Sequence, residues 1–179
     1  MSCTACLPPK SLNPLTTRAA AVHELDLIYR MGYDAWGDGK SLDDYLAVCR
    51  ASKKYAAGVW WVQTRGDGRP VSALLTHEIP IPGDACAIGL GSIATAPDLR
   101  GQGHASRLIR EVLSRHERDA GTEVFFLFAD ISPRFYERFG FVSSEPCPQK
   151  PQSMLMVRAE SKRLASLLTD SKFKIPDYF

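Results

Sequence analysis

Two glycines alternate with polar residues in the segment Arg100-Gly101-Gln102-Gly103-His104-Ala105, which stands between an apolar run and an amphipathic one. Glycine tolerates positive φ and has no Cβ, so such a loop can direct several backbone N–H groups at one anion. A helix that begins directly after the loop adds the positive end of its dipole. The pattern predicts a site for a phosphate or pyrophosphate group, with Arg100 and His104 as auxiliary donors or as solvated side chains. On this motif alone, the alternative is a tight strand-to-helix turn without a ligand.

Two common nucleotide-binding motifs do not fit this loop. The segment Gly101-Gln102-Gly103-His104-Ala105-Ser106 lacks the third glycine of a dinucleotide-binding fold, and no acid ends the next strand about 20 residues on. Asp130 comes too late for that role. A P-loop is excluded because no Gly-Lys-Ser/Thr sequence follows the glycines.

The elements on either side must position the loop. Ala85 to Thr95 is apolar and small, which predicts a strand, and its two glycines indicate a bulge or a close backbone approach. After the loop, apolar residues recur at helical spacing from Ala105 to Leu113, and Gly121 can cap the helix end. Val124 to Phe128 is continuously apolar, as in a strand buried on both faces. These elements predict a strand, a crossover helix and a second strand.

Weaker patterns predict the remaining elements. Before the loop, they are a strand over 15–20, a helix over 21–31 that stops at Gly32, a helix with Ser41 as N-cap, and a β-hairpin of Gly58–Gln63 and Val71–Leu75. After the buried strand, a short helix with Ser132 as N-cap and Pro133 at its first position ends at Gly140. Strands at 141–142 and 153–157 and a helix over 161–168 follow.

Composition limits the class of protein. With 179 residues, 45% of them hydrophobic, the chain can form one α/β domain over 13–179, preceded by an irregular leader over 1–12. A net charge of +2 with scattered basic residues gives no indication of nucleic acid binding. No apolar run is long enough to span a membrane and no signal peptide is evident, so we expect a cytoplasmic protein that contacts no membrane.

The five cysteines are odd in number and irregularly spaced, which favours reduced thiols over a disulfide framework. Cys3 and Cys6 have the spacing of metal ligands, but no second pair follows at finger spacing, so we predict no metal site. Cys86 and Cys147 could serve a covalent route, but a cysteine in a core strand or a proline-flanked loop is usually inert, and we assign them no role.

The glycine loop resembles motif A of the GNAT (GCN5-related N-acetyltransferase) superfamily, whose signature Gln/Arg-x-x-Gly-x-Gly/Ala is matched by Arg100, Gly103 and Ala105. The segment Phe135-Tyr136-Glu137-Arg138-Phe139-Gly140-Phe141 is similar to motif B of that family, at the expected distance. The resemblance covers residues 86–142 well. It implies an α/β (α+β) fold with a mixed, mostly antiparallel central sheet of six to seven strands, flanked by helices and with a splay between the two central strands.

The resemblance implies acetyl-CoA as co-substrate. Backbone N–H groups of the loop would hold its pyrophosphate, and the main chain near Ile93 and Thr95 would pair with the pantetheine like an added strand. Where the family often has a pantetheine-binding Asn, this chain offers Ser132, which is equally well explained as an N-cap. The cofactor-binding residues expected on this basis are Ile93, Ala94, Thr95, Arg100, Gly101, Gln102, Gly103, His104, Ala105, Ser106, Ser132 and Tyr136.

The implied reaction is direct transfer of an acetyl group to a primary amine of a small molecule or peptide, without a covalent enzyme intermediate. Tyr136 corresponds to the motif B tyrosine that protonates the leaving thiolate; the alternative is a packed aromatic. Glu78 is the tentative base and Asp130 a second candidate, although either carboxylate could be simply solvated or capping. In such folds the first two helices help to form the acceptor wall, here with Tyr33, Trp36, Asp38, Asp43, Asp44 and Tyr45.

Acids beside aromatics would suit a cationic amine, although helix dipoles and packing also explain them. A non-catalytic acyl-CoA sensor or an interaction module of the same fold is the alternative function. We expect a monomer or a homodimer.

Overall fold

A computed structural model describes residues 15–81, 85–147 and 150–160, together with 162, 163, 166 and 170. The leader with Cys3 and Cys6, most of the helix predicted over 161–168, and the side chains of Cys86 and Cys147 lie outside the described residues. The strands are β1 (Thr16–Ala19), β2 (Val59–Thr64), β3 (Pro70–Ile81), β4 (Ala85–Thr95), β5 (Phe125–Ala129), β6 (Val142–Cys147) and β7 (Lys150–Arg158). The helices are α1 (Leu25–Arg30), α2 (Tyr33–Trp36), α3 (Leu42–Ala51), α4 (Lys53–Ala57), α5 (His104–Ala120) and α6 (Arg134–Glu137), with 3₁₀ turns at Val22–Glu24 and Pro97–Leu99.

The seven strands form one mixed sheet in the order β1-β2-β3-β4-β5-β7-β6. The β4–β5 pair is parallel and the other neighbouring pairs are antiparallel. A parallel pair needs a crossover, and α5 supplies it, as the apolar periodicity predicted. The predicted mixed, mostly antiparallel sheet flanked by helices is confirmed.

The two central strands separate beyond Leu90. The pairing of β4 with β5 ends at Leu90 and Leu127, although β4 continues to Thr95 and β5 to Ala129. Both strand ends therefore have a free edge that faces the same gap. This is the predicted splay.

A bulge interrupts β4 at the start of the splay. Leu75 of β3 lies opposite Gly91 and Ala73 opposite Ala94, so Ser92 and Ile93 together face one residue of β3. Ser92 has φ +48°, a left-handed conformation that serine rarely adopts. The glycine-rich strand predicted a bulge here, but the positive φ lies on the serine beside the glycine.

Two helical layers cover the sheet. On one face, α5 and α6 pack against an apolar cluster that includes Leu90, Leu108 and Leu127. Gly103 and Gly121, at the two caps of α5, both have left-handed φ values. On the other face, α1 and α3 cover a cluster that includes Trp60 and Leu75.

The N-terminal helices differ from their prediction in one respect. The expected single helix over 21–31 begins as a 3₁₀ turn; α1 ends just before Gly32, as predicted, but Gly32 is also the N-cap of a further short helix, α2. A Cβ on Gly32 would lie 2.1 Å from the ring of Trp36, so glycine allows the indole to pack against the backbone. Ser41 caps α3 as predicted, since its hydroxyl accepts the N–H of Asp44.

Ser132 is not the side-chain cap of α6. The helix begins at Arg134 with Pro133 at its N-cap and without a side-chain capping bond. The φ of Pro133 is −52° and its ψ −30°, so the chain is already helical there, and the carbonyl of Ser132 accepts the N–H of Phe135. The Ser132 carbonyl thus accepts an N–H of the first turn, as at a helix N-cap, but no hydrogen bond from its side chain caps α6, so the prediction of Ser132 as a capping side chain was wrong.

The strands predicted at 141–142 and 153–157 correspond to β6 and β7, both longer than predicted. Within the described ranges, no helix is both long enough and apolar enough to cross a membrane.

Candidate functional site

A cavity of about 760 Å³ opens where β4 and β5 separate. Its walls come from the α1–α2 segment, the bulged part of β4, the glycine loop with the start of α5, the end of β5, and α6. The lining residues are Met31, Gly32, Ala35, Trp36, Leu90, Gly91, Ser92, Ile93, Ala94, Thr95, Leu99, Arg100, Gly101, Gly103, His104, Ala105, Ser106, Leu127, Phe128, Asp130, Ile131, Phe135, Tyr136 and Arg138. Ten of the twelve predicted cofactor-binding residues are among them.

The glycine loop has the backbone geometry that an anion site requires. Gly101 and Gly103 have φ of +76° and +82°, and no other atom lies within 4 Å of a Cβ built on either residue. No side chain caps the start of α5, and Arg107 donates the N–H that the Gly103 carbonyl accepts. The preceding N–H groups of the first turn are thus left for a ligand at the positive end of the helix.

The side chain of Arg100 does not point freely into this loop. Its Nε donates to the carbonyl of Thr95 at 3.1 Å and its Nη2 to the carbonyl of Met31 at 3.0 Å. The two terminal nitrogens also form a bidentate ion pair with Asp34, at 2.5 and 2.8 Å. Arg100 was predicted as an auxiliary phosphate donor, but these contacts occupy its guanidinium, so its side chain holds the walls of the cavity together.

His104 turns toward β2. Its Nδ1 lies 2.9 Å from Oε1 of Gln63, and burial, with Arg65 and Arg107 nearby, lowers the pKa of the imidazole. A neutral ring at neutral pH is not a cationic phosphate donor. Gln63 is fully buried, and its Nε2 has no hydrogen-bond partner among the described residues. The sequence analysis missed Gln63, although a glutamine at the end of an apolar strand run was a usable signal.

Tyr136 is buried in the α5-side cluster and lines the cavity. Its ring packs edge-on against Phe135, with 5.0 Å between the centroids. Tyr136 is therefore packed like a core aromatic and also lies at the site. These observations correspond to the two roles predicted from the sequence, a packed aromatic and a general acid.

Two charged residues stand out on the α6 side of the cavity. The guanidinium of Arg138 stacks 4.7 Å from the centroid of Phe135, and no carboxylate among the described residues forms an ion pair with it. Asp130 is the only acid among the described residues that line the cavity, and it accepts a hydrogen bond from the hydroxyl of Ser153. Among its described lining residues, the cavity thus has one cation that no described carboxylate pairs with, Arg138, and one carboxylate, Asp130.

Three predicted site residues do not line the cavity. Glu78 is exposed on β3, opposite Ile88, and its charge acts on His116 of α5. Ser132 is exposed. The Nε2 of Gln102 donates to the carbonyl of Asp98 at 3.4 Å.

Of the predicted acceptor-wall residues, only Trp36 lines the cavity. The acids Asp38, Asp43 and Asp44 are exposed, and Ser41 donates its hydroxyl to the carboxylate of Asp44. Acids in the first turn of α3 are explained by the helix dipole. Asp38, Asp43 and Asp44 thus do not line this cavity, and an acidic acceptor wall stays a prediction.

No metal centre is visible within the described ranges, where three or more His, Cys, Asp or Glu side chains nowhere come together in a way that could hold an ion.

A family model described as an acetyltransferase (GNAT) domain matches residues 18–143 of the chain. A search of curated proteins found no significant match. The sequence match spans the cavity walls from β1 to the start of β6.

Solved structures share this fold. A GNAT family acetyltransferase from Brucella melitensis in complex with acetyl-CoA is 22% identical, with a TM-score of 0.59, over 83% of this chain and 90% of that one. YhbS, a GNAT family N-acetyltransferase from Escherichia coli in complex with CoA, is 18% identical, with a TM-score of 0.66, over 88% and 87%. A chimera of the spermidine N-acetyltransferase SpeG from Vibrio cholerae and hSSAT is 19% identical, with a TM-score of 0.61, over 84% and 98%.

Proposed function

Because the chain belongs to the GNAT acetyltransferase family, we propose that it transfers an acetyl group from acetyl-CoA to a primary amine of a small molecule or peptide. The observation that carries this proposal is the continuity of the cavity. It runs from the uncapped start of α5 to the gap between β4 and β5, beside the buried Tyr136. An uncapped helix start that suits a phosphate group and an open strand edge that suits an extended chain thus lie in one space.

The free edges of the splay suit the pantetheine arm of the cofactor. Residues 91–95 of β4 have no partner on β5, so their outward backbone groups can pair with an extended amide-bearing chain. The pyrophosphate would bind the N–H groups of the first turn of α5. Arg138 lies at the cavity, and no carboxylate among the described residues pairs with it, so its guanidinium would bind a further phosphate oxygen.

The proposed reaction forms an N–C bond to the acetyl carbon and breaks the C–S bond of the thioester. The amine attacks in its neutral form, and the proton that it loses passes to a base or to water. The departing thiolate, whose thiol has an ordinary pKa of about 8.5, takes a proton from the hydroxyl of Tyr136. Tyr136 is the proposed general acid because its hydroxyl-bearing ring is at the cavity and the start of its helix is fixed by Pro133.

Asp130 is a better candidate than Glu78 for attracting the amine. Glu78 is exposed outside the cavity, whereas Asp130 lies in its wall at the end of β5. The hydrogen bond from Ser153 orients the carboxylate of Asp130. The negative charge of Asp130 would attract an ammonium that approaches the splay.

The proposal is tested by acetyl-CoA binding in a calorimeter, followed by thiol release with a panel of amines. The panel includes spermidine, free amino acids, an aminoglycoside and a lysine peptide. We expect binding and release of CoA with at least one amine class. Absence of acetyl-CoA binding would contradict the proposal, and binding without turnover on any amine would support a sensor instead.

A further inference from the structure

The guanidinium of Arg100 joins three segments that are far apart in the sequence. Its hydrogen bonds reach the carbonyl of Thr95 at the end of β4, the carbonyl of Met31 after α1, and both carboxylate oxygens of Asp34 in α2. Arg100 directly precedes Gly101, the first glycine of the anion loop. Asp34 is therefore hydrogen-bonded to the residue that begins the loop.

The segment that carries Asp34 is held by contacts with the rest of the fold, since Tyr33 and Trp36 pack against the cluster under α1 and α3 and Asp34 pairs with Arg100. α2 has four residues, and a single helical turn has almost no stability of its own in water. Three residues close to Asp34 in the sequence, Gly32, Ala35 and Trp36, line the cavity, whereas Asp34 itself does not. The ion pair thus connects Asp34, which does not line the cavity, to Arg100, which does, and so joins the α2 wall to the glycine loop.

The same helical layer contains a close structural match that does not touch the cavity. Arg50 of α3 forms a bidentate ion pair with Asp26 of α1, at 2.9 and 2.6 Å. The two pairs are similarly exposed, with 56% and 45% for Arg50 and Asp26 and 44% and 52% for Arg100 and Asp34. Exposed pairs of this kind add about 1 kcal/mol or less to stability, so both should contribute similarly to folding. The two pairs differ in the segments that they connect, because only the Arg100–Asp34 pair joins α2 to the glycine loop.

We propose that Asp34 is a positioning residue for the cofactor, which acts through Arg100 to hold the glycine loop and the α2 wall in one arrangement. This inference rests on the proposed function. It assigns to Arg100 a role in shaping the site and not in contacting phosphate through its side chain. The affinity for acetyl-CoA then depends on a carboxylate that does not line the binding cavity.

The test compares D34N with D26N. Each change removes one carboxylate charge with little change in volume, and we expect similar small decreases in melting temperature. The Kd for acetyl-CoA, measured by calorimetry, should rise about 5- to 10-fold in D34N and stay within about 2-fold of wild type in D26N, in the range of ordinary coupling energies. The conservative change D34E, which keeps the charge, should recover most of the affinity.

Three results would overturn the inference: wild-type affinity in D34N, an equal loss in D26N, or a D34E variant as weak as D34N despite an unchanged melting temperature. If D34N does not fold, D34S and D26S are compared in its place by the same affinity measurement, and equal Kd values for those two variants are then the contrary result. A wild-type protein that binds no acetyl-CoA would instead contradict the proposed function itself.

Discussion

At the scale of single residues, Tyr136 combines a ring in the core with a position at the cavity. It is 6% exposed, and its cluster includes Leu108, Ile109 and Phe141. Replacing it by alanine would remove both the packing and the hydroxyl, so the effect could not be interpreted. Phenylalanine keeps the ring and removes only the group proposed to donate a proton.

We expect Tyr136→Phe to lower kcat about 100-fold, at the low end of general-acid contributions, while the Kd for acetyl-CoA stays within about 2-fold. Tyr29→Phe is the control, because Tyr29 is also a buried tyrosine but does not line the cavity. Steady-state thiol release and calorimetry provide the two measurements. Equal kcat values for the two variants would exclude Tyr136 as the acid.

A second residue with a measurable role is Glu24, at the entry to α1. Its carboxylate accepts two hydrogen bonds from Arg18 and one from the N–H of Ala21, each at 2.7 Å, and its side chain is 7% exposed. The hydrogen bonds from Arg18, followed by that from Ala21, lower the pKa of Glu24 from 4.5 to about 2, against the opposing effect of burial. A carboxylate with a lowered folded-state pKa stabilises the fold above its unfolded pKa and loses that contribution as the pH falls toward the folded value.

Glu24→Gln should therefore lower the free energy of unfolding by about 2 kcal/mol at pH 7, with a difference from wild type that shrinks between pH 4.5 and about 2. Urea denaturation across this range measures it. Glu111→Gln, a change at an exposed carboxylate of α5, controls for the loss of one charge. A difference that stayed constant with pH would show that the ion pair is not its cause.

At the scale of elements, the loop and α5 could be predicted because local chemistry specifies them. The apolar stripe, the glycine caps and the buried strand after it are all encoded within about 30 consecutive residues. Partners that come from distant segments could not be predicted in this way. Asp34 pairs with Arg100 across 66 residues and Gln63 with His104 across 41, and periodicity carries no information about either contact.

The glycine loop allows a matched test of strain against binding. Gly103 and Gly68 have φ of +82° and +81°, and a Cβ on either would meet no other atom within 4 Å. Gly103→Ala and Gly68→Ala should each cost about 1 kcal/mol of stability, from the backbone conformation alone. Only Gly103 lines the cavity, so only its alanine variant should weaken acetyl-CoA binding, by about 10-fold or more, because the methyl group stands where the main chain must approach the ligand closely.

Thermal melts and calorimetry on both variants check this pair of expectations. Similar losses of affinity in both variants would show that the substitution at Gly103 acts through overall stability. Wild-type affinity in Gly103→Ala would show that the glycine loop does not bind acetyl-CoA.

At the scale of the whole molecule, the cavity connects parts of both helical layers. Trp36 belongs to the cluster under α1 and α3, and Tyr136 to the cluster under α5. A ligand that fills the cavity binds the folded state only, so it must raise the melting temperature.

At 100 times its Kd, acetyl-CoA should contribute about 2.7 kcal/mol, which for a chain of this length corresponds to a shift of about 5–10 °C. NAD⁺ at the same concentration is the control, because it has a pyrophosphate but no pantetheine arm. Differential scanning fluorimetry makes the comparison. An equal shift of the melting temperature with NAD⁺ would mean that the protein binds only the pyrophosphate and that the splay does not bind the pantetheine arm.

The splay also divides the sheet. β1 to β4 form one half-sheet and β5 to β7 the other, and between them the register has three pairs, Ile88–Phe125, Gly89–Phe126 and Leu90–Leu127. The two halves are also connected by the α5 crossover, by side chains packed beneath it, and by the cluster of Ala87 with Phe126 on the other face. The seam between the halves, more than either half, is then the place where the fold can flex. Acetyl-CoA bound along this seam would connect the two halves while it serves as the acetyl donor. When CoA leaves after the transfer, the two halves would again be free to move relative to each other.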